Sequence, residues 1–187
     1  MTAPPADLEA FHLGFVVRDV EAVIDRYTRM LGVDDWLRLD VNMPASSFNP
    51  RVTAARLNIA FGRGGRQTFE LIQVVEGRTQ HSDFLEAHGE GVQHIGFWTS
   101  DVRAAVASAV AQGASIVSAF IDERSRASVQ ISPGSSAETI LSAVDAGRIA
   151  YVDPGLATVQ FEFCGPASGQ TIRAWIRDAV KKEPMSS

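Results

Sequence analysis

Two well-separated segments carry the same pattern: EAFHLGFVVRDVEAVI at 9–24 and VQHIGFWTSDVRAAV at 92–106. Aligning His12 with His94 pairs Gly14 with Gly96, Phe15 with Phe97 and Asp19 with Asp101. A chain that repeats itself over such a span must build two copies of one supersecondary unit and join them. In each copy a short apolar run leads to an aspartate, and the aspartate opens a helical pattern. Val20, Val23, Ile24, Tyr27 and Leu31 recur with helical period, Asp19 is a ready N-cap and Gly32 a ready stop. The second copy offers Asp101, then Val102, Ala105, Val106 and Ala109, ending at Gly113.

Three strand candidates follow each helix. WLRLDV, TAARLNIAFG and TFELIQVV come first, the last two joined by RGGR; ASIVSAFID, RIAYVD and ATVQFEFCG come second. The order is therefore β-α-β-β-β, twice. The expected layout is a first unit at 8–80, a connecting helix at 81–91 with Ser82 as N-cap, a second unit at 92–165, and a C-terminal helix and polar tail at 166–187. An insert at about 124–147 breaks the symmetry. Ser135 with Glu138 three residues on reads as a capping box for a short helix there, either a surface excursion or a lid.

With 187 residues, 45% hydrophobic and 21% charged, the chain is long enough for one sizeable core. A net charge of −5 gives no basic footprint for nucleic acid, and no apolar run reaches membrane length. Cys164 is the single cysteine, so no disulfide framework exists, and MTAPPADLEA lacks the pattern of a signal peptide. These features predict a soluble cytoplasmic protein with no nucleic-acid or membrane partner.

Strand parity then collects the chemistry. In the first strand His12, Gly14 and Val16 share one face, while Phe11, Leu13, Phe15 and Val17 share the other and are expected to pack on the helix. His94, Gly96 and Trp98 share a face in the second copy. Each copy also ends on a repeated triplet, FEL with Glu70 and FEF with Glu162. FHLGFVV, TFELIQVV, VQHIGFWT and VQFEFCG contain no lysine or arginine to pair with those carboxylates. Burying an unpaired carboxylate costs several kcal/mol, so a cation or bound protons must compensate. One divalent metal held by His12, Glu70, His94 and Glu162 does so and leaves positions open for substrate; zinc, nickel, cobalt, manganese and iron all fit.

FHLGFVVRDVEAVIDRYTRMLGV, FELIQ, FLEAHGEGVQHIGFWTSDV and VQFEFCG, in that order, resemble the vicinal oxygen chelate superfamily, which includes glyoxalase I, methylmalonyl-CoA epimerase, bleomycin-resistance proteins and extradiol dioxygenases. FLEAHGEGVQHIGF is most similar to the glyoxalase and epimerase branch. The resemblance implies an α+β fold of paired βαβββ modules that form a curved mixed β-sheet cup or barrel with flanking helices. It places His12, Glu70, His94 and Glu162 at the four metal-ligand positions. It also implies a homodimer and a lyase or isomerase that stabilises an enolate-type intermediate of a small oxygenated substrate, with Glu70 or Glu162 as the catalytic base. The alternatives are a ring-cleaving extradiol-type dioxygenase and a non-catalytic binder of the bleomycin-resistance kind. Epimerases commonly have glutamine where Glu70 stands, and a carboxylate on the preceding strand, where RVTAARLNIAF has none.

Other residues carry weaker signals. Gly14 and Gly96 either leave room beside the metal or allow close packing at a seam. Trp98 and Cys164 share the ligand faces and are candidate pocket residues. GRGGR reads as a hairpin turn, because no helix follows it to hold a phosphate. His81 and His88, flanking the connecting helix, are expected to be solvated, and Arg124 and Arg126 in the insert to lie on the surface.

Overall fold

The computed structural model describes residues 7–126, 128–156 and 159–182. The first copy comprises β1 (Glu9–Val16), α1 (Val20–Leu31), β2 (Trp36–Met43), β3 (Ala55–Gly64) and β4 (Gln67–Glu76). After α2 (Gln80–His88) comes the second copy: β5 (Gly91–Trp98), α3 (Val102–Ala111), β6 (Ser115–Ala119), the inserted α4 (Glu123–Arg126) and α5 (Ala137–Ala143), then β7 (Ile149–Asp153) and β8 (Gln160–Cys164). The chain continues into α6 (Gln170–Lys182), and the polar residues 183–187 lie outside the described residues.

All the strands join one mixed, curled sheet in the order β2-β3-β4-β1-β5-β8-β7-β6. Each copy contributes one half of that order, and the halves meet along the antiparallel β1–β5 pair, centred on Leu13 opposite Ile95. Within each half the first and last strands run parallel, β1 beside β4 and β5 beside β8, while the remaining pairs are antiparallel. The fold class is thus the one anticipated from the repeat and the resemblance.

The helices cover the outer face. Val20 and Ile24 of α1 bury against Val17, Ala60 and Leu71, while Val102, Ala105 and Val106 of α3 meet Ala150, Val152 and Phe163. Each such valine, leucine, isoleucine or phenylalanine, fully buried, contributes about 1.5–3 kcal/mol. Asp19 and Asp101 cap the two helices, accepting from the backbone N–H of Ala22 at 3.1 Å and of Ala104 at 2.9 Å. Gly32 closes α1 at φ 68°, a left-handed turn that other residues adopt at a cost. Arg63–Arg66 form the expected hairpin, with Gly65 at φ 60°.

Two caps differ from expectation. Thr79, not Ser82, caps α2, and Ser82 Oγ accepts from the Thr79 N–H, so the cap sits three residues earlier and forms a capping box with Ser82. In the insert Ser136, not Ser135, caps α5 by accepting from Thr139 N–H; the Ser135 hydroxyl is taken by Ser132 N–H. Adjacent serines compete for one cap, and the turn decides between them. Among the described residues no helix is long and apolar enough to cross a membrane.

Candidate metal centre

The central strand pair sets the site. His12 lies opposite Gly96, and Gly14 opposite His94. On the flanks β4 places Glu70 beside Gly14, and β8 places Glu162 beside Gly96. Two rows therefore cross the sheet on its inner face, Glu70–Gly14–His94 and His12–Gly96–Glu162. A Cβ added to Gly14 would overlap the His94 ring, and one added to Gly96 would overlap the His12 ring. Each glycine is a notch filled by the imidazole of the other copy, which is close packing at the seam rather than open room beside the site.

All four polar side chains are buried, with His94 at 0% exposure and Glu70, the most open, at 4%. One ligand atom from each lies within 4.8 Å of all the others, inside a single chain. His12 Nε2 is 3.0 Å from His94 Nε2 and 3.1 Å from both Glu70 Oε2 and Glu162 Oε2. His94 Nε2 stands 2.9 Å from Glu70 Oε2 and 3.6 Å from Glu162 Oε2. Donors about 2.1 Å from a shared ion would be separated by roughly 3.0–3.4 Å, so these spacings match a filled coordination sphere. Two further observations support the fit. Two imidazole nitrogens face each other, and Glu162 Oε2 is buried without a hydrogen-bond partner. Among the described residues no lysine or arginine pairs with either carboxylate, and two nitrogens with two oxygens suit a borderline divalent ion.

When no ion is bound, a proton on His12 offsets part of the charge of the two carboxylates. Burial pulls the His12 imidazole down, but the Glu70 and Glu162 carboxylates outweigh it and raise its pKa to about 9. Burial pushes both carboxylates up, and Glu162 is also raised by Glu70; attraction to the histidines wins, and both end below the ordinary range.

Beyond the quartet the copies differ. Tyr151 on β7 lies in register with Glu162 and donates its hydroxyl to Oε1 at 2.6 Å. Burial and the neighbouring carboxylates hold that hydroxyl well above its ordinary pKa, so it stays a donor. Gln93 donates its amide to Gln160 Oε1 at 2.9 Å, which turns its own Oε1 toward two imidazoles: His94 Nδ1 at 2.7 Å and His81 Nδ1 at 3.1 Å. Both rings are thereby fixed as Nδ1–H donors, leaving the His94 Nε2 lone pair aimed at the centre. By contrast, His12 Nδ1 has no hydrogen-bond partner, and among the described residues the hydrogen bonds and ion pairs of the Glu70 carboxylate go to the two imidazoles.

His81, expected in solvent, is therefore a buried member of this network. Burial lowers its pKa to about 4 and keeps it neutral. His88 is exposed, as expected. Phe11 also departs from parity, because it stacks on Trp98 with ring centroids 3.7 Å apart and lines the inner cavity. The cause is a pair of β-bulges. Pairing skips Phe11 between Ala10 and His12, and skips Gln93 between Val92 and His94. Each bulge residue turns toward the face of the histidine it precedes. No residue in either strand announces a bulge, whereas Tyr151 could have been found by parity within RIAYVD.

A cavity of about 240 Å³ opens above the quartet. Its wall on the first-copy side is apolar, from Leu39, Val41, Leu57, Ile59 and Phe61; Trp98 and Cys164 line the other side, and Gly169 and Ile172 approach from α6 and its start. Gly14 and Gly96 are absent from the lining, since imidazoles fill their notches. A second cavity, of about 510 Å³, lies where the sheet edges β2 and β6 fail to meet and is lined by polar groups including Ser46, Asp122, Arg124 and Asp145. Met43, Phe120, Arg148, Ile149 and Tyr151 line both chambers, so the two abut. Arg124 is exposed, as expected, and the Arg126 side chain lies outside the described residues.

Comparison with known proteins agrees with this geometry. A family model described as the glyoxalase/bleomycin resistance protein/dioxygenase superfamily matches residues 11–131. Compared by sequence with curated proteins, the chain has no match. Among solved structures it is similar to a methylmalonyl-CoA epimerase in complex with methylmalonyl-CoA and NH4+, at 20% identity and TM-score 0.56, covering 87% of this chain and 96% of that one. A hypothetical protein from Bacillus halodurans C-125 gives 18% identity and TM-score 0.54 over 84% and 94% of the two chains. A mutant 4-hydroxymandelate synthase from Streptomyces coelicolor gives 16% and 0.55, covering 93% of this chain and 56% of that one. At such identities the likeness is one of fold.

Proposed function

This chain belongs to the glyoxalase/bleomycin resistance protein/dioxygenase superfamily, and from that premise we propose that it is a metal-dependent lyase or isomerase acting through an enolate-type intermediate of a small oxygenated substrate. The observation that carries the reading is the convergence of His12, Glu70, His94 and Glu162, four buried donors within 4.8 Å of one another, three of which, His12, Glu70 and Glu162, line a cavity. His12, Glu70, His94 and Glu162 would hold a divalent ion, which would supply Lewis-acid charge stabilisation worth several kcal/mol.

The protein side chains divide the remaining work. His12 and His94 would each offer a ring nitrogen to the ion, and Gln93 holds His94 in the tautomer that points Nε2 inward. Tyr151 ties down Glu162. Glu70 has no such tether, which makes it the carboxylate free to swing toward substrate, take the proton from the carbon beside the carbonyl, and return it there or to a neighbouring carbon. The apolar wall from β2 and β3 keeps water from the intermediate. By the resemblance, epimerases commonly have glutamine where Glu70 stands, and extradiol dioxygenases bind iron with two histidines and one glutamate, so Glu70 sets this chain apart from both classes. A fourth protein donor leaves fewer open positions for oxygen than a three-donor iron site, which favours proton chemistry over ring cleavage.

Elemental analysis of the purified protein, with Glu70→Ala and Glu162→Ala beside it, tests the reading. The expected result is about one divalent ion per wild-type chain, depleted in both variants. Turnover, read as exchange of substrate carbon-bound hydrogen with deuterated water, should fall by at least a hundredfold in Glu70→Ala. Full metal content and exchange in both variants, or substrate-dependent oxygen uptake by the wild type, would overturn it.

A further inference from the structure

Arg148 stands at the junction of the two chambers and lines both. It immediately precedes β7, and its carbonyl accepts from Gly165 N–H at 2.6 Å, which ties its backbone to the end of β8. Its guanidinium carbon lies 3.9 Å from the centroid of the Phe120 ring, another residue common to both chambers. Stacking uses the face of a guanidinium and leaves its edge, with paired N–H donors, open. Among the described residues no carboxylate forms an ion pair with it. The nearest acid in sequence, Asp145, spends Oδ1 on Gly147 N–H at 2.9 Å. Among the described residues, Arg148 is also the one lysine or arginine that lines the inner chamber with Glu70 and Glu162.

The inner chamber is apolar and ends in the polar quartet, so it fits a compact body with an oxygen pair at one end. An exposed arginine is commonly a solvated surface group. One held in place by an aromatic face, at the mouth of such a chamber, presents a preorganised fork for a planar oxyanion. We propose that Arg148 is the specificity residue of this site, and that the substrate carries a carboxylate or similar oxyanion on the end of its apolar body remote from the oxygen pair. This inference rests on the reading of the quartet as the place where that oxygen pair binds. Arg124 lines the outer chamber alone and is not part of the fork.

The test uses two probes that share vicinal oxygens and differ in charge, 3,4-dihydroxybenzoate and 3,4-dihydroxybenzamide, titrated by calorimetry into full-length protein whose metal content has been measured. Wild type should bind the acid about tenfold more tightly than the amide, the discrimination expected of one charge-assisted contact at a partly open site. Arg148→Met keeps the stem over Phe120 and should bring the two affinities together by weakening the acid alone, with metal content unchanged; Arg124→Met should keep the wild-type ratio. Equal affinities in wild type, no binding of either probe, or a ratio unaltered in Arg148→Met would overturn the proposal. Chelation separates it from the functional reading. If binding of both probes survives removal of metal while the acid preference still depends on Arg148, the quartet reading fails and the anion site stands.

Discussion

At the scale of single residues, the quartet ties stability to pH. His12 ordinarily titrates near 6.5, and the two carboxylates raise it to about 9 in the fold. A raised basic group stabilises fully below its unfolded value and loses that contribution as pH climbs through the folded one. Glu70 and Glu162 are lowered from an ordinary 4.5, so their contribution is present above that value and fades as pH falls. His81 acts the other way: burial lowers its pKa to about 4, so its contribution is lost as pH falls below 6.5. Chelated protein should therefore be most stable near pH 6.5, and its melting temperature should fall between 6.5 and 9. Melting curves of chelated wild type and His12→Gln across that window check this, since the variant should show a flatter alkaline limb. Equal slopes would mean that His12 does not carry the buried proton.

At the scale of elements, the β1–β5 pair is the part most open to test. Gly14→Ala places a methyl where the His94 ring lies, and Gly96→Ala does the same to His12. The backbone of a central strand pair yields little, so the ring must leave its notch. Each substitution should weaken metal affinity by roughly ten- to hundredfold, the range seen when ligand orientation is disturbed. Competition with a chromophoric chelator measures it, and unaltered affinity in both variants would show that the notches do not orient the rings. The strands and first helices were legible because apolar period, Asp caps and glycine stops agree at each of them. Phe11 and Gln93 were not, because a bulge is a property of pairing between strands rather than of either strand's composition. His81 escaped for a related reason: a residue at a helix start is read as exposed unless its partner, here Gln93, is known.

At the scale of the whole molecule, the duplicated pattern gave the four candidate ligands, and folding brought all of them together in one chain. The chambers could not be foreseen. The outer one exists where β2 and β6, the two sheet edges, fail to meet, and such a gap leaves no mark on the residues that border it. Because donors come in equal number from the two copies, a bound ion links both halves of the sheet and should stabilise them together. At free metal a thousandfold above the dissociation constant, the gain is about 4 kcal/mol, or on the order of 10 °C in melting temperature for a chain of this size. Differential scanning calorimetry with and without chelator should show one transition that moves as a whole. Two transitions, only one of them shifting, would place the ion in one copy.

The reciprocal notches also bind the histories of distant positions. A side chain can return at position 14 only after the ring at 94 has shrunk or gone, and the same holds for 96 and 12. Descendants that abandon ion chemistry are released from both constraints at once. Among such lineages, bulk regained at one position and a lost imidazole at the other should be inherited as a pair.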